Sequence, residues 1–334
     1  MIVVGGGIIG LSCAWRLAQR GVSVTLFDAG ATGCEASWAG AGMLAPGGEV
    51  AEDTPHARMA LESLHLYPQF VAELVETTGV PIDYRRSGAL EIALTDEEAA
   101  SLEARSHKQT QLGIRSHTAS RAGAVSARFY PDDAIVNPRD VTAALHKACV
   151  AAGVAIRINE PILEILPQGR GVRSAQGTYL DDSVLLAAGA WSSPLWHDLP
   201  ASIPVRGHLI AYAAHRGLLA SILRHRQTYL LQRSSGSLIA GTSTEHVGFN
   251  RELDEGIIAD ISRRASSLLP ELATLKPVER WNGFRPGIEG DEPLIGRIDG
   301  TALWTAFGHY RNVILLAPET ARRIAELVTT SDKH

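Results

Sequence analysis

A short apolar run, Ile2-Val3-Val4, opens the chain and gives way at once to the glycines of MIVVGGGIIG. An apolar run this brief, bounded by glycine, predicts a buried strand. Beyond it the apolar positions change period. Leu11, Ala14, Trp15 and Ala18 recur at spacings of three and four, which gathers them on one face of a helix. Arg20 in the last turn and Gly21 just after it supply the stop. VSVTLFD (22–28) predicts a second buried strand that ends on Asp28. Strand, glycine turn, helix, strand and terminal acid make one βαβ unit.

Helical spacing returns through Met59, Leu64, Tyr67, Phe70 and Leu74, between His56 and Thr78. SGALEIALT (87–95) then predicts an exposed-face strand, and the polar stretch from Asp96 a helix. AIVNP (134–138) predicts a short strand closed by Pro138, and RDVTAALHKACVAAG (139–153) a helix stopped by Gly153. The strand VAIRI and a hairpin near Gln168–Gly171 follow, then DSVLLAAGAWS (182–192), a buried strand entering a turn of small residues. From Pro204 to Arg280 the pattern is antiparallel: VRGHLIAYA, then TYLLQRSSGSLIAGTS around a Ser-Gly turn, with a helix near 254–268. The chain closes on VERWNGFRPG, ALWTAFGHYRNVILLAP and an amphipathic helix with Ala321, Ile324, Ala325 and Val328 inward. Parallel-type units thus come early, in the middle and late, separated by β-rich stretches. That order predicts a discontinuous nucleotide-binding domain with an antiparallel domain inserted in it.

Composition narrows the function classes. The 334 residues suffice for two domains, and 45% hydrophobic with 20% charged residues is ordinary for a soluble globular protein. A formal net charge of −5 argues against a nucleic-acid protein held by a broad basic surface. No apolar stretch approaches the roughly 20 residues that span a bilayer, and no basic leader precedes the first strand, so no membrane partner and a cytoplasmic location are expected. Cys13, Cys34 and Cys149 form neither a C-x-x-C pair nor a zinc spacing, and the twelve histidines include no H-E-x-x-H, so no metal is expected.

Candidate chemistry begins at the opening turn. Gly5-x-Gly7-x-x-Gly10 fits the dinucleotide fingerprint in its required context, after a strand and opening a helix. Gly5 permits the tight turn, Gly7 lets backbone approach a pyrophosphate, and Gly10 lets helix and strand pack closely. Asp28 sits where an acid binds a ribose hydroxyl, which disfavours a 2′-phosphate but leaves FAD and NAD both open. Arg285 in NGFRPG and Arg311 in GHYRNV each lie between an apolar strand and a turn, a costly place for a permanent cation unless an anion meets it. A guanidinium there would take a carboxylate through two parallel hydrogen bonds, the competing reading being a structural salt bridge. Tyr229 could donate a hydroxyl to the same anion or pack as a strand aromatic. His309 could be a base or a structural histidine.

Together MIVVGGGIIGLSCAWRLAQRG, SWAGAGMLAP, LLAAGAWS, NGFRPGIEGDEPLIGR and GHYRNVILLAP resemble, in that order, the FAD-dependent amino-acid oxidase family. Within it they look like the glycine oxidases of thiamin biosynthesis. The resemblance implies an α/β plus α+β fold: a discontinuous Rossmann-like FAD-binding domain (1–80, 139–202 and 281–334) with an inserted antiparallel-sheet substrate domain (81–138 and 203–280). Gly5, Gly7, Ile8, Ile9 and Gly10 would serve the FAD pyrophosphate, and Asp28 and Ala29 the ribose. Ser37, Ala39, Gly40, Gly42 and Met43 would run along the flavin, with Ile162 toward the adenine side. Ala188, Gly189 and Trp191 of the LLAAGAWS turn would add to the site, as would His309, Arg311, Asn312, Val313 and Ile314 beside the isoalloxazine. Arg285 would pair with a substrate carboxylate, Tyr229 would assist it, and Arg311 would be the second arginine of the active site.

The activity so implied is oxidation of glycine, or of another small amine or amino acid, by O2. It would give the imine, then glyoxylate and ammonia, with hydrogen peroxide, and a hand-off to the thiazole synthesis machinery. The near alternatives are a D-amino-acid or sarcosine oxidase and a flavin-dependent amino-acid dehydrogenase. A homo-oligomer is a family-level expectation. Two departures bear on the pocket: Val313 stands where the family often has glycine, and Thr244 where a methionine can border the substrate. With no cysteine beyond position 149, the FAD is expected to be held non-covalently.

Overall fold

Ile2–Val4 pairs on both sides in parallel, with Thr25–Phe27 and with Val184–Leu186. A strand flanked this way must bury both faces, and its alternating side chains do so. Ile2 and Val4 join Phe27, Val184 and Leu186 in one apolar layer, whereas Val3 joins Leu26 and Leu185 in another. In this computed structural model, which describes residues 1–290 and 292–331, the sheet grows to six strands. Their order is Ala155–Arg157, Thr25–Phe27, Ile2–Val4, Val184–Leu186, Leu303–Phe307 and Leu294–Arg297, and only the last is antiparallel. The helices Ile8–Gln19, Pro138–Ala151 and Ala317–Ser331 cover one face through Leu11, Trp15, Leu145, Ala321 and Ile324. A small sheet containing Ile162–Ile165 and Val172–Ser174 covers the other. Each fully buried leucine or isoleucine in these layers contributes about 1.5–3 kcal/mol relative to exposure.

A second sheet has eight strands, in the order Pro277–Ile288, Ser202–Ala213, Ser237–Gly241, Thr228–Gln232, Ile222–His225, Ala89–Ala93, Ser126–Tyr130 and His117–Ala119. The expected antiparallel pattern holds except where Ile222–His225 runs parallel to Ala89–Ala93. Helix Glu255–Leu268 packs Ile258, Ile261 and Ala265 against Ile210, Tyr212 and Leu230 on one face. The opposite face presents Leu209, Tyr229, Ile239 and Trp281 to Ala39, Ala41 and Ala45, which belong to the loop after the first βαβ unit. That contact is where the candidate site lies.

Three sequence expectations change in detail. SGALEIALT is not an exposed-face strand: Ala89 packs in the apolar layer with Ala45 and Leu231, Ile92 packs in the layer under Glu255–Leu268, and Glu91 is held by Arg105. The second strand of the βαβ unit is regular only over Thr25–Phe27, while Val24 is buried ahead of it. The long strand Pro277–Ile288 belongs along its length to the eight-stranded sheet, so it straddles the expected boundary at 281.

Candidate functional site

Gly5 ends the first strand at φ 106°, where a Cβ would lie 2.4 Å from the Ala187 carbonyl oxygen. Backbone conformation and space both demand glycine there. A Cβ at Gly10 would fall 1.8 Å from the Gly5 carbonyl oxygen, so its absence lets the helix begin directly against the strand. Gly7 precedes the helix in extended conformation, and the Ile8 N–H donates to Ser37 Oγ at 2.9 Å. The helix thereby points its positive end into a cavity of about 520 Å³.

Gly5, Gly7, Ile8 and Ile9 line this cavity with Asp28, Ala29 and Ser37. Ile162, Ala188, Gly189, Trp191, His309 and Val313 line it too, whereas Gly10 does not and acts through packing alone. Both oxygens of Asp28 accept backbone bonds, from Gly6 N–H at 2.6 Å and Gly30 N–H at 2.8 Å. Burial raises the Asp28 pKa, the two backbone bonds oppose the rise, and the nearby Glu35 charge adds to it.

A smaller cavity of about 90 Å³ adjoins the first, with Ala36 and Val313 lining both. Its lining includes Ala39, Gly40, Gly42 and Met43 from the loop, Tyr229 and Arg285 from the eight-stranded sheet, and Arg311, Asn312 and Ile314 from the turn after Leu303–Phe307. Arg285 Nη2 donates to Thr242 Oγ1 at 2.7 Å and Nη1 to the Ser243 carbonyl at 3.1 Å. Among the described residues none forms an ion pair with it. Burial lowers the Arg285 pKa and the Arg311 charge lowers it further, so a bound anion would relieve both effects. Burial likewise raises the Tyr229 pKa, keeping its hydroxyl protonated and able to donate. Two strand glycines make the room. A Cβ at Gly207 would meet Arg285 Nη2 at 2.4 Å, and one at Gly241 would meet Tyr229 Oη at 2.6 Å.

A buried polar chain fixes the atoms that orient Arg285. Thr242 Oγ1 donates to the His208 carbonyl at 3.1 Å while accepting from Arg285. His208 Nε2 accepts from the Asp254 N–H at 3.2 Å, so the ring proton sits on Nδ1, 2.8 Å from Glu245 Oε1. Ser243 Oγ donates to the same carboxylate at 2.6 Å, and Arg206 clamps its other oxygen. Burial pushes the Glu245 pKa up, but the Ser243, Arg206 and His208 bonds outweigh it and hold the group below its ordinary value.

The structure separates residues that the sequence had put on one footing. Arg285 is half-buried, but Arg311 is exposed and faces Glu49 Oε1 at 3.5 Å, so the argument from a costly buried cation fails for it. The single turn Tyr310–Asn312 carries Arg311 to the rim. Thr244 is exposed and does not line the cavity; Thr242, just past the end of Ser237–Gly241, does. His309 is buried, bonded through Nε2 to Thr320 Oγ1 at 2.9 Å, and pushed down to about 3 by burial and by His56, so it is a neutral structural group. Sequence reasoning missed Gly207, Thr242, Glu49, Glu35 and Arg251, which also line the two cavities. A glycine interrupting the strand VRGHL was a readable sign of close approach. The loop residues Glu49, Glu35 and Arg251 gave no periodic signal.

Comparison with known proteins bears on the chemistry of this arrangement. Residues 1–327 match the family described as DAO, FAD dependent oxidoreductase. A glycine oxidase of Pseudomonas aeruginosa is 33% identical over 98% of this chain and 94% of its own. The Bifunctional protein ThiO/ThiG of a Synechocystis species is 32% identical over 98% of this chain, which spans 51% of that protein. The crystal structure of glycine oxidase from Geobacillus kaustophilus superimposes with a TM-score of 0.95 at 29% identity, covering 98% of this chain and 94% of that one.

Proposed function

The chain belongs to the FAD-dependent oxidoreductase family, and from that premise we propose that it oxidises glycine or a comparably small amino acid at its amine-bearing carbon. It is an FAD enzyme, and the larger cavity fits the cofactor: a cradle at Gly5 that a Cβ would fill, a helix start aimed inward, and mainly apolar walls. Gly5, Gly7, Ile8 and Ser37 would hold the pyrophosphate, Asp28 the ribose, and the Gly40–Met43 and Asn312–Ile314 segments would flank the flavin. We take 1–80, 139–202 and 281–334 as the cofactor domain; the larger cavity draws nearly all of its wall from these segments. When bound, FAD takes two electrons with a hydrogen from the amine-bearing carbon and passes them to an acceptor.

The observation that carries the substrate reading is the half-buried Arg285 guanidinium, with no ion-pair partner among the described residues, beside Tyr229 in a cavity of about 90 Å³ that adjoins the cofactor cavity. Arg285 and the Tyr229 hydroxyl would grip a carboxylate, which fixes the adjacent carbon relative to the cofactor. Met43, Tyr229, Phe284 and Tyr310 narrow this cavity, which favours a small amino acid. Among the described residues Glu49 is the one carboxylate lining this cavity and it faces Arg311, while no histidine or cysteine lines it; a substrate that reacts as a neutral amine needs no protein base there. With O2 as acceptor the balance is glycine, O2 and water giving glyoxylate, ammonia and H2O2, through an imine that water hydrolyses. The relative named ThiO/ThiG supports delivery of that imine to thiazole synthesis. Oxygen uptake with glycine, sarcosine and D-alanine tests the reading. Glycine is expected to drive uptake with equimolar H2O2; a flavin-loaded protein inert toward all three would contradict it.

A further inference from the structure

The charged side chains of the cofactor cavity are few and come from different parts of the fold. Two acids, Asp28 and Glu35, line it, and among the described residues its only lysine or arginine is Arg251. The positive end of the Ile8–Gln19 helix supplies a partial charge of about +0.5, to which a full cation at the same cavity would add. Arg251 comes from elsewhere in the fold: it sits in the loop between Ser237–Gly241 and Glu255–Leu268, on the eight-stranded-sheet side. Its guanidinium crosses to Glu35, with Nη2 2.8 Å from Oε1. Glu35 is two residues before Ser37, whose hydroxyl caps the Ile8 N–H. The tie therefore ends close to the helix start.

Aromatic rings steady the arginine. Its Cζ lies 5.3 Å from the Phe284 ring centroid and 6.0 Å from that of Trp191. Trp191 in turn stacks on Phe249 of the same loop at 4.8 Å. An ion pair whose partners are 59% and 48% exposed contributes little to stability, so a fold-holding role does not explain this arrangement. A guanidinium of five donors can keep one bond to Glu35 and still offer others to phosphate oxygens.

We infer that Arg251 is a cofactor-binding residue: the 246–253 loop straps over the larger cavity and supplies the cation that neutralises the FAD pyrophosphate, with Glu35 as its tether. The inference rests on the cofactor half of the reading above and is independent of the substrate.

The test is FAD affinity, measured by quenching of flavin fluorescence as apoprotein is titrated into FAD, for wild type, Arg251→Ala and Glu35→Gln. Binding by the wild type checks the cofactor reading itself. Removing Arg251 is expected to raise the Kd about tenfold or more, the scale of one charge-assisted bond, and to flatten its salt dependence. Glu35→Gln, which deletes the negative charge but keeps an oxygen able to accept from Arg251, is expected to keep or lower the Kd. Unchanged affinity in Arg251→Ala would overturn the inference. So would equal weakening by both substitutions, which would mean that the ion pair matters only as a loop clasp. Circular dichroism verifies that both variants fold, as the exposure of the two side chains leads one to expect.

Discussion

At the scale of single residues, Arg285 carries the most weight. Two of its N–H groups are spent on Thr242 Oγ1 and the Ser243 carbonyl, which fixes the plane of the guanidinium and leaves the remaining donors for a ligand. Gly207 vacates the space the group occupies, and the Arg206–Glu245–His208 chain prevents the accepting carbonyl from drifting. Truncating one partner of a buried, hydrogen-bonded charge pair costs about 2–5 kcal/mol. Arg285→Ala is therefore expected to raise KM for glycine by about 30-fold or more. Its FAD content should match the wild type, because the residues proposed for the pyrophosphate and ribose line the larger cavity, which Arg285 does not. Steady-state kinetics on the purified variant checks this, and an unaltered KM would remove Arg285 from substrate binding. Arg285 was legible because NGFRPG sets a cation between an apolar strand and a Gly/Pro turn. Arg311 was legible for the same reason, but a one-turn excursion puts its side chain at the exposed rim of the same cavity, beside Glu49.

At the scale of elements, strong periodicity was a reliable guide. The helices at Ile8–Gln19, Pro55–Thr78, Pro138–Ala151 and Ala317–Ser331 lie where spacing put them, since one apolar stripe on each packs into the same core. Short strands were less legible. His117–Ala119 and Ile222–His225 have few apolar positions of their own and are strands because neighbours pair with them, which is tertiary information. The turn from Leu303–Phe307 into the final helix makes an element-level prediction. His309 is held neutral there by burial and bonds Thr320. Its pKa is about 3 when folded, against an ordinary value near 6.5, so the unfolded chain binds the extra proton across that window. Stability from this group is complete above about pH 6.5 and is lost as pH falls toward 3. Denaturation midpoints between pH 4 and 7 should fall more steeply for the wild type than for His309→Gln. Parallel curves would mean that His309 is not buried neutral.

At the scale of the whole molecule, the site exists because two sheets meet. The six-stranded sheet presents a helix start and small-residue turns to the larger cavity, while the eight-stranded sheet presents Arg285 and Tyr229 to the smaller one. The first half was plain in thirty residues of sequence, since glycine positions at a strand-to-helix turn answer to local geometry. The second half was legible as candidate residues but not as a constellation. Tyr229, Thr242 and Arg285 converge only through the register that places Val205 opposite Arg285 and Gly241 opposite both Leu209 and Tyr229. The strap through Arg251 was invisible, because a loop arginine acquires meaning only from the cavity it reaches. The central claim is that this junction places a small amino-acid carboxylate on Arg285 with the carbon to be oxidised against the cofactor. Anaerobic addition of glycine to the purified flavoprotein, followed by its visible spectrum, tests that most directly. Bleaching of the oxidised flavin band by glycine in the wild type, and its loss or marked slowing in Arg285→Ala at the same concentration, is the predicted result. A flavin that stays oxidised in the wild type, or one that glycine bleaches equally well without Arg285, would contradict the account.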